Sequence, residues 1–219
     1  MSYTAVLFDL DGTLLDTLDD LGDSMNAVLA AHGYPTHPIS SYTEFVGDGV
    51  LVLVRRCLPP GVRENDAVVN ELVPQMRKEY SQRWKDKTRP YDGIAELLDG
   101  LTSRGVRMAV LSNKPHPATV EVVSHFFSRW TFDATLGARP DVPIKPDAGA
   151  ALDVCRRLDI PASKFLYLGD TNTDMQTARA AGMYAIGVLW GFRTAEELAS
   201  SGADRLISDP REVFSLLDS

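Results

Sequence analysis

The sequence predicts a parallel α/β sheet wrapped by helices and interrupted early by an all-helical insert. Three observations predict it. Short apolar runs alternate with helix-patterned segments from about residue 88 onward, and helix-start signals repeatedly follow those runs. The segment from Asp16 to about Lys87, by contrast, holds helical patterns with no strand between them.

The runs Thr4 to Phe8, Val106 to Leu111, Phe132 to Leu136, Lys164 to Leu168, Tyr184 to Leu189 and Arg205 to Ile207 are the expected strands. They are largely apolar throughout, as strands covered on both faces are. Between them, Asp92-Gly93 opens a helix with Ile94, Leu97, Leu98 and Leu101 on one face, and Gly105 stands where a left-handed cap would end it. Further helices are predicted over Asp147 to Leu158 and over Thr173 to Ala181, the latter stopped by Gly182. Thr194 with Glu197 spells a capping box, and Asp209-Pro210 an N-cap followed by proline at the first helical position.

In the insert, Leu18, Leu21, Met25, Val28 and Leu29 recur at helical spacing until Gly33-Tyr34-Pro35. Helical regions over Ser41 to Cys57 and Glu64 to about Trp84 follow, with a break expected near Pro74 because proline lacks the backbone N–H. Thr88-Arg89-Pro90 reads as the return to the sheet. The predicted organisation is a core of residues 1–15 and 88–219 and a cap of residues 16–87.

Composition narrows the function. At 219 residues, 44% apolar and 24% charged, the chain has the makings of a packed core, which excludes disordered and fibrous classes. The net charge of -8 has the wrong sign for neutralising a nucleic-acid backbone, so no nucleic-acid partner is expected. The uncharged stretch Ala180 to Phe192 is about 13 residues and too short to span a membrane. The N-terminus lacks the basic region of a signal peptide, so a cytoplasmic location is expected. Cys57 and Cys155 stand far apart in no CxxC context and read as two reduced thiols.

The residues that carry chemistry sit where the strands end, which is where open α/β sheets bind ligands. Asp9-Leu10-Asp11-Gly12-Thr13 follows the first strand, and Gly169-Asp170-Thr171-Asn172-Thr173-Asp174 follows the fourth. Each tip carries a carboxylate pair, and oxygen donors of this kind suit Mg²⁺, with Asp9 and Asp170 as ligands. Ser112-Asn113-Lys114 offers a hydroxyl and N–H groups for a phosphate oxygen, and Lys145 a positive charge at the same rim. Taken singly, these are equally an Asp-rich turn and a surface lysine.

Together, DLDGT, LSNK, a Lys-Pro and GDTNTD resemble the four motifs of the haloacid dehalogenase-like hydrolase superfamily. Asp16-Thr17, Ser112-Asn113-Lys114-Pro115, Ala178, Ala181-Gly182-Met183, Gly187, Trp190 and Gly191 look like its phosphoglycolate phosphatase-like branch. Members resembling dehalogenases lack the aspartate found here as Asp11.

The resemblance implies a Rossmann-like three-layer core with a helical cap. It implies Asp9 as nucleophile, forming an aspartyl-phosphate, and Asp11 as general acid/base whose backbone carbonyl also ligates Mg²⁺. Asp170 would be a direct metal ligand, while Asp174 would orient coordinated waters or Lys145 from behind. Lys145 would neutralise charge and, with Ser112 and Asn113, bind the phosphate. Thr13 would orient the Asp9–Asp11 pair, and Gly12 would permit close approach of backbone to phosphate.

The implied activity is Mg²⁺-dependent hydrolysis of a small phosphorylated metabolite, a phosphoglycolate-like or sugar-phosphate monoester. A sugar phosphomutase, a pyrophosphatase and a non-catalytic phosphoryl-acceptor domain are the alternatives. A monomer is the starting expectation for the assembly, and a homodimer the alternative.

Overall fold

A computed structural model describes residues 3–217. The chain divides into two compact units, one formed by the residues up to Leu15 together with those from Pro90 onward, the other by Asp16–Arg89.

The first unit is built on a six-stranded sheet. Its strands are β1 (Ala5–Phe8), β4 (Arg107–Pro115), β5 (Ala134–Ala138), β6 (Phe165–Gly169), β7 (Tyr184–Val188) and β8 (Arg205–Ile207). Every pairing is parallel and the order is β5-β4-β1-β6-β7-β8. The chain moves outward from β1 through β4 to β5, then crosses back to β6 on the other side of β1. That reversal puts the ligand-binding crevice of such a sheet at the carboxyl end of β1.

Successive strand residues face opposite sides of a sheet. Ala5, Leu7, Ala109, Leu111, Phe165 and Tyr167 pack with Ala151, Val154 and Cys155 of α7 (Gly149–Leu158) and with Met175 and Ala178 of α8 (Asn172–Ala181). Val6, Phe8, Met108, Val110, Leu166 and Leu168 have the other parity and are equally buried. Burial on both faces explains why these strands read as unbroken apolar runs. α5 (Ile94–Ser103), α6 (His116–Phe126), α9 (Ala195–Ser200) and α10 (Val213–Leu217) complete this unit.

Several expected boundaries are met by the expected chemistry. Gly182 adopts φ 75° and its N–H closes on Arg179 O, ending α8. Thr194 accepts from Glu197 N and caps α9. Strand β4 runs further than its apolar stretch, through Ser112-Asn113-Lys114, with an irregularity between Leu111 and Pro115 where it pairs β5.

The second unit holds α1 (Leu18–Ala31), α2 (Tyr42–Phe45), α3 (Val50–Cys57) and α4 (Asp66–Arg83). The break expected near Pro74 is absent, since α4 continues through that residue. Pro74 and Asn70 lie on the exposed face, where water can take up the carbonyl that proline leaves unbonded, while Val69, Leu72, Val73 and Met76 hold the helix from the buried side.

The unit extends to Arg89 because buried Asp20 of α1 accepts from Lys87 N, Thr88 N and Thr88 Oγ1. Two-residue strands β2 (Leu15–Asp16) and β3 (Arg89–Pro90) pair where the chain leaves and returns. Cys57 and Cys155 are free, buried thiols.

Candidate active site

The carboxyl ends of β1, β4 and β6 gather the charged residues. Asp9 follows β1 directly and donates its N–H to Leu168 O at 2.9 Å, which aligns the first tip with the end of β6. The chain then folds back on itself, with Leu14 N and Leu15 N both bonded to Leu10 O.

Gly12 sits in this turn with φ 94°, a conformation costly for any residue with a Cβ. A Cβ there would overlap the Asp170 carboxylate and lie 2.7 Å from the Phe192 ring. The Gly12 N–H is committed to Leu15 O at 2.8 Å. The space its missing side chain leaves is therefore filled by Asp170.

Lys145 is the centre of the cluster. Its ammonium donates to Asp9 Oδ1 at 2.6 Å, Asp174 Oδ1 at 2.6 Å and Leu111 O at 3.2 Å. The residue is 4% exposed, and burial alone would lower its pKa. Asp174 and Asp9 outweigh that burial and raise it well above the ordinary lysine value, so the ammonium stays charged. Asp9 is pushed well up by burial, against the pull of Lys145 and with the repulsion of Asp174 and Asp170 added.

Asp170 accepts from Thr13 Oγ1 at 3.1 Å and from Phe192 N at 2.9 Å. Burial, followed by the charge of Asp174, pushes its carboxyl up to about 7. Asp174 is bonded more completely. Oδ1 accepts from Lys145 Nζ and Tyr167 Oη, and Oδ2 accepts from Thr171 N and Thr171 Oγ1. A carboxylate offers about four lone-pair sites, so these bonds use the capacity of Asp174.

Asp9, Asp170 and Asp174 offer carboxylate oxygens that all lie within 4.8 Å of one another. Three buried carboxylates face one buried ammonium in this cluster, a surplus of negative charge that a low-dielectric site cannot hold unaided. A hard divalent cation fits the all-oxygen donor set, with Asp9 and Asp170 as the carboxylates still able to bind it.

The third tip closes the arrangement. Asn113 Oδ1 accepts from Lys145 N at 2.9 Å, and Asn113 Nδ2 donates to Lys145 O at 3.2 Å. Ser112 Oγ accepts from Lys114 N at 3.1 Å. Lys114 Nζ donates to Asp11 Oδ1 at 2.8 Å.

The sequence-predicted residues Asp9, Asp170, Asp174 and Lys145 are thus brought into one cluster, with Thr13 bonded to it. Thr13 differs in its partner: its hydroxyl reaches Asp170 rather than Asp9 or Asp11, because the tight turn after β1 swings it toward the end of β6. Asp11 lies on the same rim but is paired with Lys114.

Four contributions escape sequence reasoning: the Asn113 side chain on Lys145, Tyr167 on Asp174, Phe192 N on Asp170, and Trp190, whose indole N–H donates to Thr13 O at 3.0 Å. All four stand in or beside a quoted motif, but only Asn113 and Trp190 are themselves motif residues.

A model of the haloacid dehalogenase-like hydrolase family matches residues 6–188. The chain belongs to that family. It is 33% identical over 216 residues to the phosphoglycolate phosphatase of Pseudomonas savastanoi pv. phaseolicola, covering 95% of this chain and 78% of that one. It is 30% identical to the phosphoglycolate phosphatase of Nitrosospira multiformis, covering 97% of this chain and 95% of that one. The crystal structure of a provisionally assigned phosphoglycolate phosphatase from Lactobacillus delbrueckii subsp. bulgaricus superposes with a TM-score of 0.92 at 30% identity, over 99% of each chain.

Within the family the chain is a phosphatase. Such phosphatases are generally dependent on a divalent metal, which the acidic cluster at the strand ends fits. Among the described residues no helix is long and apolar enough to cross a membrane.

Proposed function

We propose that this phosphatase hydrolyses a small phosphate monoester, of the 2-phosphoglycolate or sugar-phosphate kind, through an aspartyl-phosphate on Asp9 with Mg²⁺ as cofactor. The observation that carries the proposal is the buried Lys145 ammonium 2.6 Å from both Asp9 and Asp174. Of the two carboxylates on Lys145, Asp174 has its lone pairs committed to Lys145, Tyr167 and Thr171, which favours Asp9 as the one with an oxygen to spare for bond formation.

Mg²⁺ held by Asp9, Asp170 and the Asp11 carbonyl would neutralise charge between the nucleophile and the phosphate dianion. Lys145 fixes Oδ1 of Asp9, which leaves Oδ2 to form the new bond to phosphorus. The ester P–O bond breaks as Asp11 gives its proton to the departing alcohol oxygen. Asp11 then takes a proton from a water that attacks the same phosphorus, releasing inorganic phosphate and restoring Asp9.

Ser112 and Asn113 N would bind phosphate oxygens, and Gly12 would allow the backbone its close turn beside them. Thr13 orients Asp170, and Asp174 orients Lys145. The helical insert of residues 16–87 would serve as the cap domain.

The test is release of inorganic phosphate from 2-phosphoglycolate and from sugar phosphates in Mg²⁺. Asp9→Asn should abolish it, whereas residual activity above about a tenth of wild type would overturn the nucleophile assignment. Conversion of a sugar phosphate to its isomer, or turnover confined to pyrophosphate, would replace the monoesterase reading.

A further inference from the structure

The second unit sets a positive charge at a cavity and gives it no partner among the described residues. Two arginines, Arg56 and Arg63, help to line this cavity of about 380 Å³. Arg56 is answered: its Nη2 pairs with Asp48 at 2.6 Å, and its Nη1 donates to the carbonyls of Glu44 and Phe45 at 3.3 and 3.2 Å. Arg63 has its main chain tied on both sides, its N–H donating to Pro59 O at 3.1 Å and its carbonyl accepting from Arg55 Nη1 at 2.6 Å. Its guanidinium, by contrast, makes no hydrogen bond or ion pair with any described residue, and its Nε is buried.

A buried N–H without an acceptor is costly, and a guanidinium is a rigid fork that meets a carboxylate with two parallel bonds. The rest of the cavity is largely apolar. Cys57 and Leu58, buried at the end of α3, line it together with Phe45. His37 lines it too, with its Nε2 bonded to Cys57 O at 2.8 Å and its ring edge-on to Phe45 at 5.1 Å between centroids. The Phe45 ring also meets that of Tyr42 at 5.5 Å. Walls fixed in this way before a ligand arrives reduce the entropy lost on binding. The volume is at the small end for ligand sites, with room for a single ring on a short chain.

We propose that this cavity binds a small monocarboxylate with an apolar body, the carboxylate on Arg63 and the body against Phe45, His37 and Leu58. Two lining guanidiniums against the one Asp48 carboxylate leave a single positive charge, which one anionic group neutralises. A neutral molecule of the same shape leaves the Arg63 fork unmatched, and a dianion brings a second charge that must shed water among apolar side chains. The site lies wholly in the second unit and shares no residue with the carboxylate cluster at the strand ends.

Calorimetric titration of the full chain with 3-phenylpropionate, and with its neutral twin 3-phenyl-1-propanol, tests the assignment. Wild type should bind the carboxylate at least about tenfold more tightly than the alcohol, the scale of one charge-assisted hydrogen bond. Arg63→Met should bring the two within about twofold by weakening the carboxylate alone. Arg63→Lys should keep only part of the preference, since it retains the charge but not the fork. No binding of the carboxylate, equal affinities in wild type, or a preference that Arg63→Met leaves intact overturns the proposal.

The NMR signals of the His37 ring locate the ligand and settle the assignment should Arg63→Met fail to fold. They should shift in step with occupancy by 3-phenylpropionate in wild type. Carboxylate binding that leaves them unmoved places the ligand elsewhere, as at the strand-end cluster, and overturns the proposal.

Discussion

Asn113 holds the main chain of Lys145 from both sides, accepting from its N–H at 2.9 Å and donating to its carbonyl at 3.2 Å. The two residues are 32 positions apart, so one side chain ties the end of β4 to the loop that carries the central ammonium. Lys145 Nζ can meet both Asp9 and Asp174 only if its backbone stays in place.

Asn113→Ala removes both bonds and leaves buried Lys145 groups unsatisfied. It should lower kcat by about ten- to a hundredfold and stability by about 2 kcal/mol, the range for losing buried hydrogen bonds. Asn113→Asp should do no better, because it sets a second acceptor against the Lys145 carbonyl. Steady-state phosphate release and urea unfolding measure the two effects.

Gly12 and Gly191 enclose Asp170, and a Cβ on either would overlap that residue. Gly12 also carries φ 94°. Gly12→Ala should therefore destabilise the protein by about 2 kcal/mol, combining backbone strain with displacement of the Asp170 carboxylate. Because that displacement acts on the proposed cation site, half-maximal activity should move to higher Mg²⁺. Thermal unfolding and a Mg²⁺ titration would report the two consequences separately.

The sheet was legible because its strands are buried on both faces, so that Ala5–Phe8 and Phe165–Leu168 carry no polar side chain to blur the pattern beyond Tyr167. Helix ends were legible where local chemistry decides them, as at Gly182 and Thr194. Pro74 was misleading because a missing N–H breaks a helix only when nothing else holds it, and the packing of Val69, Leu72, Val73 and Met76 is invisible in sequence. Tyr167 reads as one more core residue, and only the fold shows its hydroxyl on Asp174. The Phe192 contribution is a backbone N–H, which no residue type announces. Asp20 looks like an ordinary charge in the first turn of α1 until Lys87 and Thr88 are seen to close on it.

Away from the site, Asp133 gives a pH-dependent test of the fold. Burial pushes its carboxyl up, but Arg107, at 2.6 Å, and the Met108 N–H, at 3.1 Å, outweigh burial and hold it below the ordinary value. A carboxyl depressed in the folded state contributes stability above its unfolded pKa and loses it as pH falls through the folded pKa. Asp133→Asn should therefore be less stable than wild type by up to about 1 kcal/mol at pH 7, the range for a half-exposed pair. The difference should shrink below about pH 4 as the wild-type carboxyl takes up its proton. Denaturant midpoints at several pH values would show the convergence, and a constant offset would contradict it.

Asp170 and Asp174 should fail differently when neutralised, because their oxygens are committed differently. Asp170 accepts two bonds and keeps lone pairs for a cation, whereas Asp174 accepts from Lys145, Tyr167 and twice from Thr171. Asp170→Asn should raise the Mg²⁺ concentration for half-maximal activity by at least about tenfold, with activity partly recovered at high Mg²⁺. Asp174→Asn removes one of the two carboxylates that hold the buried Lys145 ammonium, and it puts an amide where the Thr171 and Lys145 donors need acceptors. Its activity should stay about a hundredfold down at any Mg²⁺ concentration, with stability reduced by about 3 kcal/mol as for a broken buried ion pair. Mg²⁺ titrations of both variants, paired with unfolding curves, distinguish a lost cation ligand from a lost partner of Lys145. Recovery of Asp174→Asn by Mg²⁺ would make it a ligand after all.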